Sequence, residues 1–429
     1  MELFTAKGMQ DLMPEEKMLF DETADRIIEA FRLYGFVPLD TPVIERMDVL
    51  GAKYAGGEEI LKEVFRVKDQ GDRELGLIYD LTVPLARVIG MNKNLKMPFK
   101  RYQIAKVYRD GPVEKNRYRE FYQCDADIIG SKELLCEAEI LGLINDVFKK
   151  LDLKIKIKIN SRKLLNEIMN YAGIDEKKQS ETMMSLDKLE KVGLEAVKKE
   201  LKERKLSENE IKKLLELVSF NGKNEEKLNF LKKKIGETQG LKEIELILDY
   251  AKKMNLNNLE FDLMLARGLA YYTGTVFEAV LSEGTVKASV AGGGRYDELI
   301  GKLAGLDKEV PAVGISFGLN RIIDALKEKK KKLRKSNSML LVMSINAEKE
   351  MIGIANELRK RGINLEIDLM NRNLSKNLDY ANGKGIPFVL IVGEKDLKEG
   401  KVTLKNMQSG KEEKIDAKAL DEIVKAVLK

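Results

Sequence analysis

The stretch KRYQIAKVYRDGPVEKNRYREFYQCDADIIG, residues 100–130, constrains this chain more than any other. KRYQIAKVYR alternates large apolar and polar residues, as a half-buried strand does. Gly111 and Pro112 break the run and turn it. RYREFYQCDADIIG runs back, rich in aromatic and β-branched residues. The expectation is an antiparallel hairpin with Arg109, Arg117, Arg119, Phe121, Gln123, Asp125 and Asp127 on one face. Guanidinium groups grip phosphate in a bidentate way, a ring stacks on a base, and carboxylates hold ammonium. Such a face suits a nucleoside triphosphate beside a small amine or cationic ligand. A solvated hairpin with surface ion pairs accounts for the same residues.

At 429 residues the chain has room for about two to four domains. Its net charge of +6, from 76 basic and 70 acidic residues, is too balanced for a DNA-coating protein but permits a local basic face. There is no histidine, and Cys124 and Cys136 are not at a metal-ligand spacing, so no structural zinc site is expected. The start, MELFTAKGMQDLMPEEK, has no apolar core of signal-peptide length, and no run spans a membrane. A cytoplasmic protein is expected.

From Glu16 to Phe36, apolar residues recur at helical spacing and stop near Gly35, a plausible cap. FVPLDTPVIERMDVL (36–50) reads as an edge strand with proline. GLIYDLTVPLARVIG (76–90) reads as strand, turn and a helix opening near Pro84. Asp80 and Thr82 sit at the join, where Thr82 also suits an N-cap. Residues 161–258 are rich in lysine and glutamate at helical spacing and lack proline, so they read as an all-α insertion. ASVAGGGRYDELIGKLAG (288–305) reads as a Gly-rich loop whose backbone a ligand can approach closely. VPAVGISFGLNRIIDAL (310–326) follows as a strand, Gly318 and a helix carrying Arg321. After the charged linker 327–338, strands alternate with helices, implying a mostly parallel or mixed sheet.

RYREFYQCDADIIG resembles motif 2 of the class II aminoacyl-tRNA synthetases in its histidyl form. The likeness extends over nearly the whole chain: 36–50 resembles motif 1, 310–326 resembles motif 3, and ARGLAYYTGTVFEAV resembles an element peculiar to the histidyl family. It implies an α+β fold: an antiparallel catalytic sheet with helices (1–160 and 259–328), an all-α insertion (161–258) and a C-terminal α/β anticodon-binding domain (338–429). It implies activation of L-histidine by ATP, with Mg²⁺, and transfer to the 3′ end of its tRNA. It also implies a homodimer built through motif 1, with neither DNA nor membrane as a partner.

Carried over position by position, Asp80, Thr82 and Gln123 would hold the substrate amino group and carboxylate region. Arg109 and Arg267 would hold the α-phosphate and substrate carboxylate. Arg117 and Arg321 would hold the outer phosphates, and Phe121 would stack on adenine. Asp127 and a hydroxyl of the Tyr271–Tyr272 pair would address the two nitrogens of the imidazole. Two departures from relatives stand out: Ala270 replaces an aspartate beside the tyrosines, and Asn320 replaces a glutamate in motif 3. The insertion would lean over the tRNA acceptor stem. Two alternatives share parts of this pattern. One is a catalytically idle relative acting as a sensor, which would be expected to lose arginines or the tyrosine pair. The other is a synthetase of the same subgroup for threonine, proline or glycine, which would lack ARGLAYYTGTVFE.

Overall fold

The computed structural model describes residues 2–51, 61–113, 118–186, 188, 192–267, 271–306, 308–329 and 333–428. It divides into two units: Met1–Asp11 with Glu22–Lys329, and Leu12–Asp21 with Lys330–Lys429.

The first unit is built on an eight-stranded sheet. Its strands are β1 (Val37–Pro38), β5 (Phe99–Tyr108), β6 (Glu120–Ile129), β7 (Ile155–Ser161), β8 (Leu259–Phe261), β9 (Thr275–Leu281), β10 (Ala291–Arg295) and β11 (Ala312–Gly318). They lie in the order β1-β5-β6-β11-β10-β9-β7-β8, with only the two outermost pairings parallel. A small antiparallel sheet, β2 (Ile44–Arg46), β4 (Glu74–Leu77) and β3 (Arg66–Lys68), lies in the same unit.

Period-two alternation along the central strands separates two faces. On the back face, Tyr102 of β5 and Phe317 of β11 meet Phe31 and Phe148, from the helices Pro14–Leu33 and Leu135–Lys150. Phe31, Phe148 and Phe317 are fully buried, each stabilising the fold by about 1.5–3 kcal/mol. The front face stays open, which leaves room for a ligand above β6, β11 and β10.

The chain leaves the sheet at the end of β7 and returns at β8, which lies parallel to it. Between them run the helices Arg162–Ala172, Glu176–Leu186, Leu194–Glu203, Glu208–Val218, Asn224–Ile235 and Gln239–Lys253. The sequence signals their starts: Ser207 and Glu210 form a reciprocal capping box, each side chain accepting the other's backbone N–H. These helices belong to the same unit as the sheet.

The second unit holds a mixed five-stranded sheet: β12 (Leu340–Ile345), β13 (Leu365–Ile367), β14 (Phe388–Gly393), β15 (Lys401–Asn406) and β16 (Glu412–Asp416), in the order β13-β12-β14-β15-β16. The first two pairings are parallel and the last two antiparallel. Leu340 and Val342 pack with the helices Glu348–Lys360 and Leu420–Leu428, while Leu341 and Met343 pack with Leu374–Lys384. Both faces are thus covered, which accounts for the continuous apolar runs LLVM and FVLIV. Among the described residues no helix is long and apolar enough to cross a membrane.

Candidate active site

A cavity of about 800 Å³ opens on the front face of the large sheet. Its floor is a row on β6, Phe121, Gln123, Asp125 and Asp127, two residues apart and therefore on one face. On β11, Gly318, Ser316 and Gly314 stand directly opposite Gln123, Asp125 and Asp127. On β10, Gly292 and Gly294 continue the rows of Ser316 and Gly314. The glycines that the sequence suggested as a loop lie within this strand instead. Their pairing shows why: a Cβ at Gly292 would fall 1.6 Å from Arg267 Nη1, and one at Gly294 would fall 2.9 Å from the Tyr272 ring. Bare backbone here lets side chains from another segment lie flat across the strand.

One end of the cavity is basic. Arg109 Nε donates to the Tyr79 carbonyl at 3.0 Å, and its guanidinium lies 5.2 Å from the Phe121 ring centroid. Arg267 Nη1 donates to the Phe277 carbonyl at 3.3 Å, and Arg321 Nη1 donates to the Ser289 carbonyl at 2.7 Å. Burial holds Arg321 below its ordinary pKa, and the charges of Arg267 and Arg109 push the same way against Glu278. These arginines share one region of positive potential, which favours a polyanion.

The other end is acidic. Asp80 precedes the helix Thr82–Met91, and its Oδ1 accepts the backbone N–H groups of Thr82 (3.2 Å) and Val83 (3.0 Å). Thr82 is the first helical residue and Leu81 the N-cap position, so the side chain that satisfies the first N–H groups is that of Asp80, one residue further out. Burial raises the Asp80 carboxyl to about 6, countered by those two N–H groups, Arg109 and Arg101. Asp127 forms an ion pair of 2.7 Å with Arg101, its fully buried neighbour across β5. The Tyr296 hydroxyl donates to Asp127 Oδ1 at 2.5 Å. Burial raises Asp127, and Arg101 then Tyr296 oppose the shift. Asp125 is raised to about 7, first by burial and then by Asp127 and Asp80, while Arg101 and Ser316 pull it down. Tyr271 packs at 4.7 Å from Tyr272 and edge-on to Tyr296 at 6.1 Å.

Asp80, Thr82, Arg109, Phe121, Gln123, Asp127, Arg267, Tyr271, Tyr272 and Arg321 all line this one cavity. Arg117 and Ala270 lie outside the described residues. Arg119 serves the hairpin turn: it pairs with Asp110 at 3.0 Å and donates to the Gly111 carbonyl. Asn320 accepts the Tyr122 N–H at 3.2 Å and so ties motif 3 to motif 2. Sequence reasoning passed over Tyr296, Arg101, Ser316 and Glu278. A strand assignment for the glycine run would have found Tyr296, two residues beyond Gly294. Opposite charge across the hairpin register would have found Arg101.

The family model described as histidyl-tRNA synthetase matches residues 8–322, and one described as an anticodon binding domain matches 337–427. Histidine–tRNA ligase 1 of Bacillus cereus is 39% identical over 432 residues, covering 98% of this chain and 99% of the relative. The histidine–tRNA ligase of Bacteroides fragilis is 40% identical over 448 residues, covering 96% and 97%. The crystal structure of histidyl-tRNA synthetase from Nostoc superposes with a TM-score of 0.88 at 30% identity, covering 99% of this chain and 100% of that one. A cavity basic at one end and acidic at the other, on an antiparallel sheet followed by an anticodon-binding domain, accompanies these matches: the chain belongs to the histidyl-tRNA synthetase family.

Proposed function

We propose that the protein activates L-histidine with ATP to histidyl-adenylate and passes the histidyl group to the 3′ end of its tRNA. The observation that carries this is the two-ended cavity, in which arginines face carboxylates across a floor of glycine, serine and glutamine. Activation is an in-line attack of the substrate carboxylate on the α-phosphorus. It needs alignment and charge stabilisation more than a proton acceptor. Arg109 and Arg267 hold the α-phosphate and the attacking carboxylate together. Arg321 and Arg117 take the outer phosphates, and Phe121 stacks on adenine. Gln123, Thr82 and Asp80 orient the amino and carboxylate groups. At the acidic end Asp127, braced by Arg101, meets one imidazole nitrogen and a hydroxyl of the Tyr271–Tyr272 pair meets the other. A site that hydrogen-bonds both nitrogens rejects amino acids that lack them.

Mg²⁺ fits this site as a companion of the nucleotide. Glu278, which lines the cavity on the side of Arg321, offers a carboxylate of the kind Mg²⁺ takes alongside phosphate oxygens and water. The ion would neutralise charge on the outer phosphates. Pairing through motif 1 fits the exposed apolar residues Val37, Val43 and Ile44 of that stretch. Contact of residues 337–427 with the anticodon follows the family match. Amino-acid-dependent ATP–pyrophosphate exchange, run across all twenty amino acids, tests the reading. Exchange with histidine alone is expected. Exchange with threonine, proline or glycine would reassign the site, and none at all would favour an idle relative.

A further inference from the structure

We infer that Asp125 is a specificity-determining residue that, together with Asp80, clasps the α-ammonium of the bound amino acid; this rests on the histidine reading of the cavity. Three observations meet here. Asp125 is 4% exposed and lines the cavity, and its Oδ1 has no hydrogen-bond partner among the described residues. A buried polar oxygen without a partner costs free energy, so its retention points to a ligand donor.

The second observation is position. The β6 row runs from Phe121, beside Arg109, through Gln123 and Asp125 to Asp127, beside Tyr296. An amino acid whose carboxylate reaches the arginines and whose ring reaches Asp127 carries its α-carbon between them. The ammonium then lies over Asp125. The third is charge. Asp80, Asp125 and Asp127 gather around one buried guanidinium, Arg101. An added cation relieves the surplus of negative charge. Asp80 has one oxygen already committed to the helix N-terminus, so a second carboxylate completes the ammonium's acceptors.

The groups facing Asp125 are Arg101 and Gln103 from β5, Asp127 from its own strand, Ser316 from β11, Asp80 from the turn before the helix and Tyr272 from the segment before β9. Its carboxyl, raised to about 7 in the ligand-free protein, loses its proton as the ammonium arrives.

The test compares histidine with imidazole-4-propionate, which keeps the ring and the carboxylate and lacks the amino group. Asp125→Asn should weaken histidine binding, measured calorimetrically, by roughly ten- to a hundredfold. Its affinity for imidazole-4-propionate should stay within about twofold. In the parent protein the preference for histidine over the analogue should grow from about pH 6 to 8 once each affinity is corrected for the measured imidazole pKa of that ligand, which the α-ammonium lowers in histidine. Equal loss of both ligands in the variant would overturn the inference. So would a preference in the parent that is flat after that correction, a result that does not depend on the variant folding. A parent protein that shows no histidine-dependent exchange would overturn the functional reading itself, and this inference with it.

Discussion

Gly314 faces Asp127 across the pairing of β11 with β6, and a Cβ at Gly314 would lie 1.8 Å from Asp127 Oδ1. The carboxylate occupies the space that a side chain on the neighbouring strand would fill. Gly314→Ala should therefore push Asp127 off Arg101 and Tyr296. We expect the KM for histidine in pyrophosphate exchange to rise by roughly tenfold or more, with a stability loss of about 1–3 kcal/mol. A normal KM in a folded variant would remove Asp127 from the substrate pocket.

Arg267→Ala should lower the rate of adenylate formation by a factor of roughly 10²–10³, as loss of one positioned donor to developing charge does. Gly292→Ala offers a milder version. Its new methyl group occupies the place of Arg267 Nη1 and shifts the guanidinium without deleting it. Single-turnover adenylate formation should rank parent above Gly292→Ala above Arg267→Ala, with similar thermal stability throughout. Near-normal rates in a folded Arg267→Ala would dismiss its role.

Stability should carry the mark of the acidic end. The Asp125 carboxyl titrates near 7 in the folded ligand-free protein and near its ordinary value in the unfolded chain, about 3.9. Between those values the folded state holds the extra proton, so this group makes stability fall as pH rises through the window. Asp125→Asn removes the ionisation cost. The ligand-free variant should melt a few degrees above the parent at about pH 8 and close to it at about pH 4. A variant that melts lower at both values would contradict the electrostatic account.

The chain has no histidine, so no side chain has an unperturbed pKa near 6.5. Transitions between about pH 6 and 7 then belong to perturbed groups such as the buried carboxyls of Asp80 and Asp125, to the amino terminus or to the substrate's imidazole. Profiles of pyrophosphate exchange should show the KM for histidine moving across this range while kcat stays flatter. A kcat that follows the same transition as KM would place the titrating group in the chemical step.

Truncation after Lys329 removes the segment matched by the anticodon-binding model. Histidine-dependent exchange should survive, and aminoacylation of tRNA should fall much further. Parallel loss of both would argue against that division of labour.

Much of the fold was legible because it rests on local signals. The hairpin declared itself through alternation, the helical insertion through its period and lack of proline, and the last domain through apolar runs set between helices. The row Phe121, Gln123, Asp125 and Asp127 followed from the strand period alone. What the sequence hid depends on neighbours distant along the chain. The run Gly292–Gly294 carries ordinary turn composition, and only pairing with β9 and β11 makes a strand of it. Thr82 had the chemistry of a cap, yet the chain enters the helix two residues earlier than Pro84 suggested, so Thr82 is its first residue and the Asp80 carboxylate accepts the leading N–H groups from beyond the cap position. β16, EEKID, is too polar to announce itself and pairs at the sheet edge.

On its ligand side β10 offers almost nothing to hold; its anchorage is behind. Arg295 ends the strand, and its guanidinium meets the fully buried Glu137 twice, at 2.6 and 2.7 Å, with Asp297 at 3.1 Å. The pocket floor is thus moored from the rear, by a pair that a bound amino acid never meets. Chance substitutions at Glu137 would leave every ligand contact intact on paper and still let the floor drift. In a survey of inactive variants, some of the worst should map to the reverse of the sheet, where inspection of the cavity alone would pronounce them harmless.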